Sequence, residues 1–309
     1  MKKPFFSIIV ALAPGRKAEI LESLKNINYN KAKYEVIVKQ GLNPSENRNN
    51  AIKEAKGDII AVLDDDVFLD ENILINAEKF FNAYPNIGLV GGPQLTPETD
   101  NFFARVSGYV LESSFGAYKM STRYKKNKLN LDTDETSLTS ANCFARKDVF
   151  DKVGNFNPIL YPGEDPEFFG RVKKNNIKIA YSPDLIVYHK RRNNFFSFCK
   201  QIYNYGRVRL TKEKLNKTFV NPIFIMPLLF VFYLILLPIL YIKFKILIFP
   251  LLLYFILNML FSFKISLEKE PYAFPLLMIL FFAMHISYGL GMLSHFFSKS
   301  RKVQKQKDI

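Results

Sequence analysis

Short apolar runs rich in β-branched residues alternate with amphipathic stretches through the first ninety residues. That is the rhythm of βαβ units and a mostly parallel sheet. The spacing predicts strands over residues 5–12, 34–38, 58–63 and 87–90, with helices over 17–26, 45–56 and 70–82. Ser45 is the expected cap of the second helix, although Arg48, three residues on, does not complete a capping box. After Gly91, Gly92 and Pro93 the rhythm breaks, and 102–128 reads as an amphipathic helix followed by a basic, polar loop reaching Glu135. Inserted segments of this kind commonly carry binding specificity. Beyond it the pattern predicts a strand over 138–146, a short helix over 147–153 and a turn from Asn157-Pro158 to Pro162-Gly163. A helix over 164–174 and strands near 177–181 and 185–189 follow.

The last third is different in kind. Three apolar stretches, 219–242, 246–263 and 272–297, each approach or exceed the roughly 20 residues a helix needs to cross a hydrocarbon core. Buried soluble helices seldom run so long without a charge on any face, so these stretches are expected to form two or three transmembrane helices spanning residues 219–298. Residues 193–218 mix aromatic and basic positions at helical spacing, which suits an interfacial helix lying against a bilayer. The expected organisation is therefore an α/β domain over 1–192, the interfacial helix, the apolar region and a basic tail over 299–309.

Charge changes the picture by its placement. The formal net charge is +15, a surplus that suits nucleic-acid binders. Here, however, Arg191, Arg192, Lys200, Arg207, Arg209, Lys212, Lys214 and Lys217 crowd the approach to the first apolar stretch, and Lys299, Arg301, Lys302, Lys305 and Lys307 fill the tail. Basic residues beside membrane segments attract anionic headgroups and favour the cytoplasmic side, so the partners expected are membrane lipids and no nucleic acid. The N-terminal domain is then expected in the cytoplasm, on a multi-pass protein of the inner or cytoplasmic membrane. Three crossings would place the basic tail outside, against the same tendency, unless one stretch is re-entrant or interfacial. Lys2 and Lys3 before an apolar run resemble a short signal peptide. That run is only about nine residues, near the short limit, and it ends in Ala13-Pro14-Gly15-Arg16 as a first strand would. Cys143 and Cys199 lack metal-ligand spacing and read as ordinary small side chains. A transporter is disfavoured, since the apolar stretches hold few ionisable residues besides His285 and His295.

The candidate chemistry lies in two acidic clusters. Asp64, Asp65 and Asp66 close the third strand, at the end of a parallel sheet where open α/β folds bind ligands. Adjacent carboxylates repel, and a divalent cation bridging them to substrate phosphates would relieve the repulsion; hard oxygen ligands suit Mg²⁺ or Mn²⁺. Strand alternation would aim Asp64 and Asp66 together and Asp65 the opposite way. An acidic turn capping the next helix is the competing account. Glu164-Asp165, after the turn glycine Gly163, falls at a helix start, where carboxylates serve as caps as readily as catalysts.

In combination, the strand SIIVALAP, the segment SENRNNAIKEAKGDIIAVLDDD, the stretch LTSANCFARKDVF with VGNFNP, the GEDPEF pair and YSPDLIVYHKRR before QIYNYGRVR resemble family-2 glycosyltransferases over about 5–209. The resemblance implies a GT-A, Rossmann-like mixed sheet with helices on both faces, followed by an α-helical transmembrane region. The trailing helices resemble those of members that build surface polysaccharides. It also implies roles. Asp64 and Asp66 match the DxD motif, Asp64 holding the nucleotide sugar with Asp65 beside it and Asp66 ligating the metal. Asp165, with Glu164, matches the general base. Pro14 and Arg16 fall in the donor-binding loop after the first strand. His189 is a further candidate metal or diphosphate contact, although a lone His is more often structural. Arg48 and Arg207 or Arg209 are candidate phosphate contacts on charge grounds, with solvated or headgroup-facing positions as the equal alternative.

Two departures narrow the expectation. Lys39-Gln40-Gly41 stands where many relatives carry a nucleobase-binding Asp, leaving the nucleotide open, and the chain contains no Trp, against processive synthesis. The expected activity is inverting transfer of one sugar from a nucleotide-diphosphate donor to a hydroxyl of a lipid-linked or cell-surface glycan. A polyprenyl-phosphate sugar synthase is the alternative enzyme, and a non-catalytic membrane scaffold with the same fold is the alternative of another class.

Overall fold

The computed structural model describes residues 5–160 and 163–297. Lys2 and Lys3, Pro162 of the expected turn, and the basic tail from Lys299 onward lie outside the described residues. The chain divides into two compact units. One holds the residues up to Asp100 with Lys119–Arg191, and the other holds Asn101–Tyr118 with everything from Arg192 on.

In the first unit, β1 (Phe6–Leu12) leads through α1 (Ile20–Lys25) to β2 (Tyr34–Gln40), then through α2 (Pro44–Glu54) to β3 (Ile59–Asp64). After the short β4 (Val67–Leu69) come α3 (Ile73–Ala83), β5 (Ile87–Gly91) and β6 (Gln94–Leu95). The chain then leaves for α4 (Phe102–Glu112) and α5 (Ser114–Ala117), which belong to the second unit. It returns for β7 (Asn142–Arg146), α6 (Lys147–Val153), α7 (Glu164–Lys174), β8 (Lys178–Tyr181) and β9 (Val187–His189).

Six strands form a mixed sheet in the order β2-β1-β3-β7-β5-β8. β1 runs parallel to β2 and β3, whereas β7 is antiparallel to both β3 and β5. Continuous apolar strands are explained by burial on both faces: Phe6, Ile8 and Val10 pack into one core layer and Ile9 into the other, and Ile59, Ala61 and Leu63 divide from Ile60 and Val62 in the same way. A second sheet, β4-β9-β6, joins β9, which falls within the strand expected near 185–189, to β4 and β6, which were not predicted because they are three and two residues long and carry no period of their own.

Several boundaries move for identifiable reasons. Asn43, not Ser45, caps α2: its Oδ1 accepts from the Ser45 and Glu46 backbone N–H groups, with Pro44 at the first helical position, where a missing N–H costs nothing. The expected long helix after residue 102 stops at Glu112, and a 3₁₀ segment at Tyr118–Tyr124 precedes the loop. The strand expected over 138–146 shortens to Asn142–Arg146.

The second unit adds α8 (Phe195–Asn216), α9 (Met226–Lys243), α10 (Phe249–Glu268) and α11 (Phe274–Phe297) to α4 and α5. With their leading 3₁₀ turns, the last three are long and apolar enough to cross a membrane. In α8, Arg209, Lys212, Glu213 and Asn216 are buried along with Phe198 and Ile202, while Phe196 is exposed.

Candidate active site

Because β1, β2 and β3 are parallel, their C-terminal ends open on one edge, and the charged segments that follow them meet there. Asp64 is the last residue of β3, level with Ala11 of β1. The alternation expected through Asp66 stops at this point, since Asp65 and Asp66 form a turn into β4. Asp66 is brought to its partners by the second sheet instead. Val67 pairs with His189 in the β4–β9 ladder, and the His189 Nε2 lies 3.1 Å from Asp66 Oδ1.

One ligand atom from each of Asp64, Asp66 and His189 falls within 4.8 Å of the other two. Two carboxylates and an imidazole nitrogen so placed fit a divalent cation of the Mg²⁺ or Mn²⁺ type. The other ring nitrogen of His189 is 2.8 Å from Gln94 Oε1, and Gln94 Nε2 donates to Thr139 Oγ1 at 3.2 Å. With the amide held that way, Nδ1–H donates to Gln94 and Nε2 is the nitrogen turned to Asp66, donating to it when protonated and able to offer a lone pair to a cation when not.

Arg16, in the turn after β1, donates from Nη2 to Asp66 Oδ2 at 2.8 Å and places Nε 3.2 Å from Asp65 Oδ2. Pro14 is exposed in the same turn and has no polar side-chain group to bring to the cluster. Arg48, a candidate phosphate contact, is buried on α2 against both acidic clusters. Its Nη2 donates to Asp64 Oδ1 and its Nη1 to Glu164 Oε1, both at 2.8 Å, and Nη1 is 3.7 Å from Asp165 Oδ1. Clusters a hundred residues apart in sequence are thereby joined through one guanidinium.

Glu164 and Asp165 open α7 after Gly163, whose φ of 120° belongs to the region glycine tolerates. They are held differently. Glu164 has both oxygens engaged, by Arg48 and by the Gly163 N–H at 3.0 Å. Asp165 Oδ2 accepts from the Ser140 backbone N–H at 2.9 Å, while its Oδ1 is buried without a hydrogen-bond partner.

The electrostatics follow from this crowding. Burial works against the Arg48 charge, but Asp64, Asp165 and Glu164 outweigh it and hold its pKa above the ordinary value. Burial raises the Asp64 carboxyl despite Arg48, and burial together with Asp66 pushes Asp65 up to about 6. Burial would raise Asp66 as well, yet hydrogen bonds from His189 and Arg16 keep it well below the usual carboxylate range. Glu164 is raised by burial and by Asp165 beside it. The Cys143 thiol is pushed up by burial and by Asp165, as suits an inert core side chain.

The other basic candidates belong to the second unit. Arg207 is exposed on α8, while Arg209 donates to Tyr288 Oη at 2.9 Å and stacks 4.1 Å over the Phe224 ring. Gln94 and Ser140 were not anticipated. Gln94 follows the Gly91-Gly92-Pro93 break, a signal that the chain turns towards the sheet edge; Ser140 contributes only a backbone N–H, which no side chain advertises.

Residues 59–286 match the sequence profile described as Glycosyl transferase family group 2. No curated protein matches the chain. Among solved structures, the mannosyltransferase PcManGT from Pyrobaculum calidifontis, in complex with GDP-Man and Mn²⁺, is similar with a TM-score of 0.59 at 14% identity, over 97% of this chain and 89% of that one. Residues 1-349 of S. aureus TarS, in complex with UDP-GlcNAc, are similar with a TM-score of 0.50 at 15% identity, over 94% and 91%.

Proposed function

Since the chain belongs to family group 2 of the glycosyltransferases, we propose that it moves one sugar from a nucleotide-diphosphate donor to a hydroxyl of a lipid-linked or cell-surface glycan, with inversion. Its fold is of the GT-A type, followed by three apolar helices that are candidate membrane spans. The bound GDP-Man and UDP-GlcNAc of the two neighbours support a nucleotide-sugar donor, and the Mn²⁺ of the first supports a divalent cation.

The observation that carries the reading is the single guanidinium of Arg48 bonded to both Asp64 and Glu164. It draws the carboxylates ending β3 and those opening α7 onto one site, as in-line attack on a donor requires. Asp64, Asp66 and His189 would hold the cation, which when bound supplies positive charge to the departing diphosphate. Arg16 lies against the same aspartates and adds a donor of the right charge for phosphate oxygens. Asp165 is the base: its Oδ2 is tied to Ser140 N–H, while its Oδ1, 3.7 Å from Arg48 Nη1, makes no hydrogen bond and keeps lone-pair capacity for an acceptor hydroxyl. Glu164, with both oxygens engaged, anchors Arg48 and leaves the proton to its neighbour. A base has work to do only if the acceptor brings a proton, which favours a hydroxyl over a polyprenyl phosphate. The basic flanks of the apolar region support a catalytic domain on the cytoplasmic face of the cell membrane.

The test is purified protein incubated with Mn²⁺, a lipid-linked acceptor mixture and a panel of radiolabelled nucleotide sugars. One donor should be consumed and its label transferred, and Asp66→Ala and Asp165→Asn should each cut transfer by about 10² to 10⁴. Absence of hydrolysis and transfer with every donor, or full activity in both variants, defeats the assignment in favour of a binding scaffold.

A further inference from the structure

We infer that Asp65, the middle one of the three aspartates at the end of β3, is a positioning residue: it holds Arg16 by one edge so that the other edge of the guanidinium receives the donor's diphosphate. The inference rests on the nucleotide-sugar reading above and extends it to a residue that the cation does not use. Asp64 and Asp66 join His189 in the candidate ligand set, whereas Asp65 stands outside it. Asp65 is nevertheless 5% exposed, and a carboxylate so buried is costly unless a counter-charge meets it. Among the described residues, its one ion-pair partner is Arg16.

The chain around Arg16 fixes where its side chain starts. The Arg16 N–H donates to the Ala13 carbonyl at 3.2 Å and closes a turn whose inner residues are Pro14 and Gly15. Proline followed by glycine at a φ of 75° is the signature of a type II turn, in which little freedom is left to the backbone. Asp65 then secures the loop between β1 and α1 at two points. Its carboxylate meets Arg16, and its carbonyl accepts from the Ile20 N–H at 3.2 Å, at the start of α1.

A guanidinium offers two edges with paired donors. The side edge carries Nε–H and one N–H of Nη2, and the end carries Nη1 with the other N–H of Nη2. In Arg16 the side edge is spent: Nε lies 3.2 Å from Asp65 Oδ2, and Nη2 donates to Asp66 Oδ2 at 2.8 Å. Its end is not. Among the described residues Nη1 has no hydrogen-bond partner, and the side chain is 48% exposed. Arg48 is the reverse case, with its end spent on Glu164 through Nη1 and on Asp64 through Nη2, in a buried position. Of the two arginines against the aspartates, Arg16 is therefore the one that keeps a planar pair of donors for a ligand.

Such a pair matches two phosphate oxygens. Because Nη2 is bonded to Asp66, itself a candidate cation ligand, the guanidinium and the cation share one carboxylate between them. A diphosphate, with oxygens on two phosphorus atoms, is the chemistry that can meet both positive groups at once. Without Asp65 the guanidinium would keep its bond to Asp66 but lose the contact at Nε that sets its direction. Charge neutralisation alone does not account for the arrangement, since it would leave no reason to turn a donor pair outward.

The experiment is a double-substitution cycle on the full chain, read by binding and not by turnover. Arg16→Gln, Asp65→Ala and the two together are compared for the Kd of the common nucleoside diphosphates in saturating Mn²⁺, by calorimetry, and for the Kd of Mn²⁺ alone, by electron spin resonance. Arg16→Gln should weaken nucleotide binding by about tenfold to a hundredfold, as loss of hydrogen bonds to a charged group does. Asp65→Ala should weaken it less, and the double variant should bind no worse than Arg16→Gln, because Asp65 acts through the arginine. Arg16→Lys should recover only part, since an ammonium keeps the charge and loses the fork. Mn²⁺ alone should be held far better by Asp65→Ala than by Asp66→Ala. Asp65→Asn, of nearly the same shape, guards against a failure of Asp65→Ala to fold and should fall between that variant and the unsubstituted protein. Losses that add in the double variant, unchanged nucleotide binding in Arg16→Gln, or Mn²⁺ binding lost as completely in Asp65→Ala as in Asp66→Ala would each overturn the proposal while leaving the donor reading in place. No nucleoside diphosphate bound by the unsubstituted protein would instead overturn the donor reading, and the proposal with it.

Discussion

Arg48 sits at 4% exposure against three carboxylates, and a residue so placed is costly to remove. Deleting one partner of a buried ion pair leaves uncompensated charge, so Arg48→Met should cost about 3–5 kcal/mol of stability, read as a lowered unfolding midpoint. Arg48→Lys should recover only part, because an ammonium cannot fork to Asp64 and Glu164 at once. Unchanged stability in both variants would mean the bridge is ornamental. A second expectation concerns pH. Asp65 holds its proton to about 6 in the fold, above its unfolded value near 4, and Asp64 and Glu164 are raised in the same sense. The unfolded chain releases these protons first, so metal-free protein should lose stability as pH rises from about 4 to above 6. Asp66 is lowered and acts in the opposite sense, but its contribution is lost only as pH falls below about 4, outside that window. Mn²⁺ should offset the loss, so the rise in Tm it produces should be larger at pH 7 than at pH 5, and Asp65→Asn should flatten the metal-free decline. At this scale the acidic residues were legible because runs of carboxylates need a cause. The task of Arg48 was not, since sequence gives its charge but not its burial.

Among elements, those with a strong period were legible: β1, β3 and α7 fall within a residue or so of expectation, because two-sided burial and a helix-opening glycine leave clear marks. The β4 and β6 strands that complete the second sheet were not, although that sheet delivers His189 and Gln94 to the aspartates, since β6 has two residues and no rhythm. α8 holds a feature that its pattern did not show. Its basic and aromatic composition suits a lipid surface, yet glycines let α11 approach so closely that charged residues turn inward. Gly206→Leu should therefore separate the two helices, lowering the midpoint by several degrees and exposing Cys199 to thiol reagents faster. Gly15→Ala, with open space around its Cβ, is the control for a general cost of losing glycine, although its φ of 75° carries some strain of its own.

For the whole molecule, the absence of Trp fits one transfer per encounter, so products should carry one added sugar by mass spectrometry, and a ladder of lengths would argue against that. α9 and α10, bare of protein partners over most of their surface, should keep the chain in the pellet after alkaline carbonate washing. The insertion at Asn101–Tyr118 has a practical outcome. The polypeptide passes between its two units three times, so no single cut frees a soluble enzyme. A fragment ending near residue 192 would still carry α4, stripped of the helices that shelter Val106, Val110 and Leu111, and would aggregate through that greasy flap. Splicing Asp100 to Lys119 through a few glycines and serines in the same fragment removes the flap, and that trimmed version is the one to crystallise.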